Sequence, residues 1–292
     1  MGDFSKDDKN YVKFLGFKFE CKQFFITTAV ALGVILFLIA LTLFGVEISW
    51  YGVLVGVGFL VALALSGQLF ETRKLPNEYG YSLIWWIFPC SIIGARLYFL
   101  IFDGGIDSFS EIFKIWNGGL AIYGGVIGGA IGLLVCALIK KLSVVDTTDC
   151  VVPLLAIGQA FGRIGCIFGH CCYGVEVSNE SLQWFPIALD VNGGWHYATN
   201  FYESILDFCL FLALIYILRK VKIKGITTCS YLTGYGLVRF ILEFFRDKKQ
   251  TLFIGDFPVS QLLSIICVVI GVVGICTLLF VNNRKVNREV DK

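Results

Sequence analysis

The chain has 292 residues, of which 57% are hydrophobic and only 16% are charged, and its formal net charge is +2. Soluble domains carry about 25% charged residues, whereas the mean hydropathy here is +0.78. So much apolar surface requires a lipid bilayer as its solvent. The small net charge argues against nucleic acid as a partner. The 11 cysteines are an odd number in mostly apolar runs, which does not indicate a disulfide framework.

Apolar stretches long enough for a transmembrane helix, about 20 residues, occur eight times. They lie at roughly 24–46, 49–70, 80–102, 118–139, 150–170, 201–218, 226–245 and 258–281. The first is longer than a signal-peptide core and lacks its cleavage site, so we predict a true span. The basic stretch 1–23 is predicted to be a surface amphipathic helix or a disordered tail. The fifth is predicted to be only partly helical because glycines interrupt it, at Gly158, Gly162, Gly165 and Gly169.

Lysine and arginine mark the N-terminus, the loops after the second, fourth and sixth spans, and the C-terminus. The positive-inside rule therefore places these segments in the cytoplasm. One loop disagrees, because Arg246, Lys248 and Lys249 fall on the outer side. The only long hydrophilic loop, 174–200, carries no Lys or Arg. We predict that this loop forms an external cap over the membrane domain.

Ionisable residues inside spans are costly and usually face the bundle interior. With this orientation several lie in the outer halves of their spans, namely Arg96, Arg163, Glu203, Arg239 and Glu243. Other polar side chains lie at outer ends, namely Tyr51, Tyr123, His196 and Gln261. This convergence predicts one polar site that opens toward the outer leaflet. Because arginine binds phosphate in a bidentate manner, the site is predicted to bind a phospholipid headgroup.

Tyr235, Arg239 and Glu243 follow one another at four-residue spacing, so they share a helix face on which Arg239 and Glu243 can pair. A structural ion pair that joins two helices is the alternative interpretation. The chain has only two histidines, His170 and His196, and either is a candidate proton acceptor near neutral pH.

The block Trp116–Gly125 is rich in glycine, and Gly128, Gly129 and Gly132 continue its face. Glycines in such a pattern predict close packing of helices. Farther along, His170 is followed by Cys171 and Cys172, with Cys166 four residues before it. This spacing matches no familiar metal-binding pattern, so we predict no metal and no cofactor. A disulfide, a reactive thiol and inert packing or polar lining remain as interpretations of the cysteines.

The segment Gly162–Gly174, GRIGCIFGHCCYG, resembles the signature of bacterial prolipoprotein diacylglyceryl transferases, Gly-Arg-x-Gly-Asn-Phe-x-Asn-x-Glu-x-x-Gly. Further segments resemble the same family in the same order. They are Trp50-Tyr51-Gly52, Gly94-Ala95-Arg96, Trp116–Gly125, Asp149 with Pro153, His196–Glu203, Tyr235–Phe245 and Ser260-Gln261. The resemblance covers about 48–281 and implies an all-α, polytopic transmembrane bundle with a seven-span core. Residues 1–47 would then be a basic segment and an extra span, placed before a transferase-like domain at 48–292.

The resemblance also implies an enzyme of the bacterial cytoplasmic (inner) membrane with a part in lipoprotein biosynthesis. Members of the family transfer a diacylglyceryl group from phosphatidylglycerol to the lipobox cysteine of a lipoprotein precursor. The product is a thioether, and glycerol phosphate is released. The implied partners are therefore the lipid, the precursor and the bilayer.

By the same resemblance, Arg163 and Arg239 hold the lipid phosphate and Glu243 orients Arg239. Tyr51 and Gly174 match positions that the family needs for activity. Tyr123 occupies a place where many members have histidine and others tyrosine, and either it or His196 would deprotonate the incoming thiol. The remaining residues that we predict to bind substrate are Arg96, Glu203, Tyr235 and Gln261.

The signature is altered at Cys166 and Gly169, which replace asparagines, and at Cys171, which replaces the glutamate. Two hypotheses follow, a true lipoprotein transferase or a divergent paralogue that acts on another acceptor thiol or another lipid. A transporter or flippase is the rival of another class, but it should place polar residues near the midplane, often with repeats. A thiol–disulfide enzyme that uses Cys171 and Cys172 is a further rival, although adjacent cysteines make a poor redox pair.

Overall fold

The computed structural model describes residues 49–102, 121–247 and 257–290, together with 11–14, 17–20 and 253–254. The predicted first span at 24–46 lies outside the described residues. Most of the predicted domain 1–47 and the beginning of the glycine block at 116–120 lie outside them as well.

Seven α-helices make up most of the described part of the chain. They are α1 (Trp50–Thr72), α2 (Asn77–Phe102), α3 (Ile122–Ile139), α4 (Val144–Phe168), α5 (Thr199–Lys220), α6 (Ile226–Glu243) and α7 (Val259–Val290). Five of them, α1, α2, α4, α5 and α7 as far as Arg284, are long and apolar enough to cross a membrane. The prediction of an all-α, multi-pass membrane protein is therefore confirmed.

Local sequence explains where several helices begin. Ser49 caps α1, because its hydroxyl accepts a hydrogen bond from the Gly52 N–H at 3.3 Å. Ser143 caps α4 in the same way through the N–H of Asp146, and such caps satisfy donors that have no partner inside the helix. Gly225 precedes α6 with a φ of +86°, a conformation that glycine adopts without steric cost.

Helix α4 shows that the prediction of a partly helical fifth span was wrong. It runs without interruption from Val144 to Phe168, although it contains Pro153 and three of the four glycines. Inside a bilayer an unwound turn would leave backbone groups without hydrogen bonds, and this cost outweighs the weak helix propensity of glycine. Pro153 is fully buried among neighbouring helices.

Helices α2 and α3 pack with their backbones almost in contact. A Cβ atom built on Gly124 would lie 2.3 Å from the carbonyl oxygen of Gly94, and one on Gly128 would lie 2.2 Å from that of Cys90. Gly132 meets the backbone of Trp86 in the same way. The sequence prediction of close helix packing along this face is therefore confirmed.

Asp149 joins three helices at one end of the bundle. Its fully buried carboxylate lies 3.0 Å from Arg73 at the end of α1. It also accepts hydrogen bonds from the backbone N–H of Gly225 and from both the backbone N–H and the hydroxyl of Thr228 in α6. Since every carboxylate lone pair has a donor, this buried charge holds α1, α4 and α6 together.

Between α4 and α5 the chain forms a compact hairpin. The strand Ala188–Val191 pairs antiparallel with the strand Gly194–Tyr197. The turn uses Asn192 and Gly193, both with positive φ, as a two-residue hairpin turn requires. This hairpin lies within the predicted cap 174–200, which is therefore an ordered structure rather than a simple loop.

Two short antiparallel pairs complete the secondary structure. Tyr11–Phe14 pairs with Phe17–Glu20, and Phe253–Ile254 pairs with Phe257–Pro258. The first pair shows that the prediction of a surface helix or a disordered tail was wrong over these residues. The alternation of aromatic and β-branched residues with lysine there is a strand pattern.

Candidate phosphate site and cysteine cluster

The carboxylate of Glu203 lies between two arginines that come from different helices. Arg163 of α4 binds it at 2.9 Å, and Arg239 of α6 binds it at 3.4 Å. Glu203 is only 2% exposed, so both guanidinium groups are held from behind by one buried anion. The two cations therefore lie side by side.

A second carboxylate extends this cluster along α6. Glu243 binds Arg239 at 3.1 Å from one turn away and binds Arg246 at 3.6 Å. The cluster thus contains three guanidinium groups and two carboxylates. The guanidinium groups therefore outnumber the carboxylates by one.

These arginines border a cavity of about 320 Å³. Arg163, Arg239 and Arg246 line it together with Glu243 and Cys172. The opposite wall comes mainly from α7 and supplies hydroxyl groups and apolar side chains, namely Val259, Ser260, Leu263, Ser264 and Cys267. The cavity is therefore cationic on one side and mostly apolar on the other.

Tyr235 of α6 is held in place at this cavity by a second tyrosine of the same helix. Tyr235 lines the cavity and stacks on Tyr231, with ring centroids 5.7 Å apart. The hydroxyl of Tyr231 donates to the side-chain oxygen of Gln159 at 3.1 Å. This stack fixes the ring of Tyr235 one turn before Arg239.

Most of the predicted site residues meet here. Tyr123, Arg163, Tyr235, Arg239 and Glu243 line the cavity, and Glu203 supports it from behind. These side chains come from four helices, and the structure brings them together around one cavity.

Tyr51 and His196 are not among the lining residues of this cavity. Tyr51 borders a neighbouring cavity of about 490 Å³ together with His170, and its ring packs where a side chain on Gly165 would lie. The Nδ1 atom of His196 lies 3.1 Å from the carbonyl oxygen of Gly174, and its ring packs on Tyr173. His196 is therefore held in the cap.

Arg96 and Gln261 are absent from the described residues that line the cavity. Arg96 is buried in α2 and its guanidinium lies over the ring of Phe99 at 5.5 Å. On α7 the cavity is lined by Ser260 and Ser264, and Gln261 points about 100° away from Ser260 around the helix.

Gly174 connects the cap to the end of α6. Its N–H donates to the Tyr197 carbonyl at 2.8 Å, and the next N–H, of Val175, donates to the Phe245 carbonyl. A Cβ atom at Gly174 would lie 2.6 Å from that Phe245 oxygen. Only glycine permits this close approach, which fixes the backbone next to Arg246.

The cysteines of the altered signature form a cluster beside the arginines. Cys166, Cys171 and Cys172 place their sulfur atoms within 4.8 Å of one another, and none of them is in a disulfide. The pKa of Cys172 is lowered to about 5, because the Cys166 thiol donates a hydrogen bond to its thiolate and Arg163 lies nearby. Burial raises the pKa of Cys171.

Sequence reasoning missed several residues of this site. Arg246 was interpreted as an exception to the positive-inside rule, although its position three residues after Glu243 was a usable signal for an ion pair. Asp207, one turn from Glu203, is fully buried, and neither of its oxygens accepts a hydrogen bond from the described residues. Ser264 had no signal in the sequence.

Comparison with known proteins gives consistent matches over most of the chain. The family model for prolipoprotein diacylglyceryl transferase matches residues 38–277. The phosphatidylglycerol–prolipoprotein diacylglyceryl transferase of Finegoldia magna is 34% identical over 238 residues, which cover 80% of this chain and 93% of that protein. A protein of Clostridium perfringens with the same name and the suffix 1 is 31% identical over 254 residues, 85% of this chain and 96% of its own. One of Listeria innocua is 33% identical over 243 residues, covering 80% and 87%.

Proposed function

The chain belongs to the prolipoprotein diacylglyceryl transferase family, and we propose that it transfers a diacylglyceryl group from phosphatidylglycerol to a cysteine thiol of a lipoprotein precursor. The observation that carries this proposal is the pair of guanidinium groups, Arg163 and Arg239, that the buried carboxylate of Glu203 holds at the wall of one cavity. The family supplies the reaction, and the cavity supports the way in which the lipid is held.

The lipid phosphate would bind the arginine cluster. Arg239 donates to Glu203 through Nη1 and pairs with Glu243 through Nη2, yet a guanidinium group has five N–H donors. Donors therefore remain for an anion in the cavity. Since the carboxylates already orient Arg239, it loses little freedom when phosphate binds.

The apolar wall suits the glyceryl and acyl parts of the lipid. Leu263 lines the cavity and is also 40% exposed on the surface of α7, so the cavity reaches the lipid-facing side of the bundle. We infer that the lipid enters sideways between helices, without leaving the membrane. From the basic loops at the other end, we further infer that the site faces the outer leaflet of the bacterial cytoplasmic membrane.

The reaction requires a thiolate and a leaving phosphate. The thiolate sulfur attacks the glyceryl carbon that carries the phosphate ester, the C–S bond forms as the C–O bond breaks, and the electron pair leaves on the phosphate oxygen. Arg163, Arg239 and Arg246 would stabilise the negative charge that grows on this oxygen. A transporter would not need the cations to be concentrated at the wall of one cavity, and family membership also favours the transferase.

The test uses purified protein in vesicles that contain phosphatidylglycerol labelled in its acyl chains, with a lipobox peptide as acceptor. We expect label on the peptide, and about 100-fold slower transfer after Arg239→Gln, because a donor to the leaving group is lost. Lys222→Gln removes an exposed cation away from the cavity and should leave the rate unchanged. Absence of labelled peptide with folded wild-type protein, or label on a Cys→Ser peptide, would overturn the proposal.

Complementation of cells depleted of their own transferase separates the two hypotheses within the family. Growth rescue by the wild type supports the lipoprotein precursor as acceptor. If the wild type and Arg239→Ala both fail to rescue although both are inserted in the membrane, the result favours the divergent paralogue that acts on another acceptor thiol or another lipid.

A further inference from the structure

Three thiols lie together where α4 ends. Cys166 is in the last turn of the helix and is buried, and Cys171 and Cys172 follow the helix end. Their sulfur atoms all lie within 4.8 Å of one another. Cys166 and Cys171 are also the residues that replace Asn and Glu in the family signature, so the same changes that remove two polar side chains supply two thiols.

In the loop that brings these thiols together, two residues adopt backbone conformations of high free energy. His170 has a φ of +47° and Cys172 a φ of +61°, and left-handed conformations of non-glycine residues cost about 1–3 kcal/mol each. Helix α5 holds the loop in this shape, because Thr199 donates to the Cys172 carbonyl at 3.1 Å and Asn200 to the Cys171 carbonyl at 3.3 Å. The cluster is thus a prearranged structure.

We propose that Cys166, Cys171 and Cys172 bind one Zn²⁺ ion, and that the fourth coordination position receives the acceptor cysteine. This proposal rests on the proposed function and names how the acceptor thiol becomes a nucleophile. Catalytic zinc sites have three protein ligands and one open position. Zinc–sulfur bonds of about 2.3 Å place tetrahedral sulfur ligands about 3.8 Å apart, so the thiols need to move by less than about 1 Å.

The surroundings match the charge of such a site. Zinc with three thiolates has a net charge of −1, and Arg246 donates to the sulfur of Cys172 at 3.5 Å. Arg163 lines the same cavity as Cys172. These cations favour thiolate over thiol and would offset the excess charge of the zinc site.

The position also suits the reaction. Cys172 lines the phosphate cavity together with Arg239, so a metal at the cluster would lie at the edge of the lipid site. The acceptor thiol binds the metal as a thiolate and its proton passes to water. The bound sulfur then attacks the glyceryl carbon, the C–O electron pair leaves on the phosphate, and the neutral thioether that results is a weaker ligand and dissociates. This route needs no nearby general base, which agrees with the position of His196 in the cap.

The first experiment measures the metal directly. We expect wild-type protein purified with zinc to retain about one equivalent, and Cd²⁺ or Co²⁺ to give a sulfur-to-metal charge-transfer band. Each of Cys166→Ser, Cys171→Ser and Cys172→Ser should weaken binding by at least about 10-fold. Cys209→Ser and Cys276→Ser change exposed cysteines elsewhere and should retain the band. Wild-type protein that takes up no metal, or a band that survives all three cluster variants, would overturn the proposal.

The second experiment concerns the acceptor. Adding the lipobox peptide to the Cd²⁺ form should increase sulfur coordination from three to four, and a Cys→Ser peptide should not. A zinc chelator should abolish transfer and added Zn²⁺ should restore it. If metal binds but no lipid reaches the peptide, the proposed function fails. If transfer continues at full rate in chelated protein, the zinc proposal fails and the transferase stands.

Discussion

Arg163 and Glu203 form the shortest ion pair of the proposed phosphate site, at 2.9 Å. The same carboxylate also binds Arg239, so a single side chain of α5 aligns cations of α4 and α6. Glu203 is far more buried than either arginine. Both guanidinium groups belong to residues that line the cavity.

Replacing Glu203 by glutamine keeps its shape but removes the charge that aligns the two arginines. We expect transfer to fall about 100-fold and the protein to lose about 3 kcal/mol of stability, because two buried cations lose their anion. Initial rates at varied phosphatidylglycerol concentration and chemical unfolding would measure both effects.

Asp207→Asn is the matched control, since Asp207 lies one turn away on the same helix. Its oxygens accept no hydrogen bond from the described residues, so the rate should stay within about threefold of wild type. If both variants lose activity equally, Glu203 has no special part in aligning the arginines.

Much of this site could be predicted from the sequence because membrane depth limits where charges are placed. The four-residue spacing of Tyr235, Arg239 and Glu243 fixed one helix face, and the loop charges placed Arg163 at the same depth. The depth of a residue in the membrane does not specify how its helix is rotated about its own axis, however. Gln261 was therefore predicted in place of Ser264, although Ser260 and Ser264 are the polar residues of α7 that line the cavity beside its apolar ones.

Other features depend on tertiary contacts that the sequence does not reveal. Arg246 was counted as a loop charge, yet it pairs with Glu243, and this pairing explains part of the exception to the positive-inside rule. The cysteine spacing matched no metal pattern, and the sequence does not reveal that His170 and Cys172, in the loop that brings the thiols together, both have a positive φ. Likewise, the glycines of α4 suggested a broken helix until the surrounding helices were known.

Gly174→Ala should disturb the arginine cluster indirectly, through the backbone next to Arg246. The new methyl group would lie 2.6 Å from the Phe245 carbonyl oxygen, so the chain next to Arg246 must move. We expect a loss of about 1–3 kcal/mol in stability and slower transfer at saturating lipid.

Gly194→Ala in the same cap is the control, because its methyl group would be no closer than 3.4 Å to its neighbours. Thermal unfolding and transfer rates of the two variants would be compared. Equal rates for both would show that the approach at Gly174 does not position Arg246.

Gly128→Ala should separate α2 from α3. Its methyl group would lie 2.2 Å from the carbonyl oxygen of Cys90. The backbone of a packed helix can move away from this contact only at a large cost in free energy. We expect a destabilisation of about 1–3 kcal/mol, measured by thermal unfolding in detergent. Gly56→Ala in α1 meets nothing within 4 Å and should stabilise its helix by about 0.5–1 kcal/mol. The same melting temperature for both variants would contradict the packing argument.

Asp149→Asn should destabilise the end of the bundle that lies away from the phosphate site. The variant leaves Arg73 buried without its anion, which costs about 3–5 kcal/mol. Transfer per folded molecule should be unchanged, because Asp149 does not line the phosphate cavity. Chemical unfolding and the specific activity of the folded fraction test this, and a specific activity reduced along with stability would show that the two ends are coupled.

The reactivity of Cys172 gives a prediction in the metal-free protein. With a pKa lowered to about 5, Cys172 is a thiolate throughout the range from pH 6 to pH 8. The rate at which iodoacetamide alkylates it should therefore hardly change over that range. The rate should fall only as the pH drops through 5. An ordinary thiol with a pKa of about 8.5 reacts about 10-fold faster per pH unit over that range. Mass spectrometry of chelated protein at several pH values would measure the rate, with N-acetylcysteine as reference. Cys166→Ala removes the thiol that donates to Cys172, so its profile should move to higher pH. A wild-type profile that follows the reference would show that Cys172 is protonated at neutral pH.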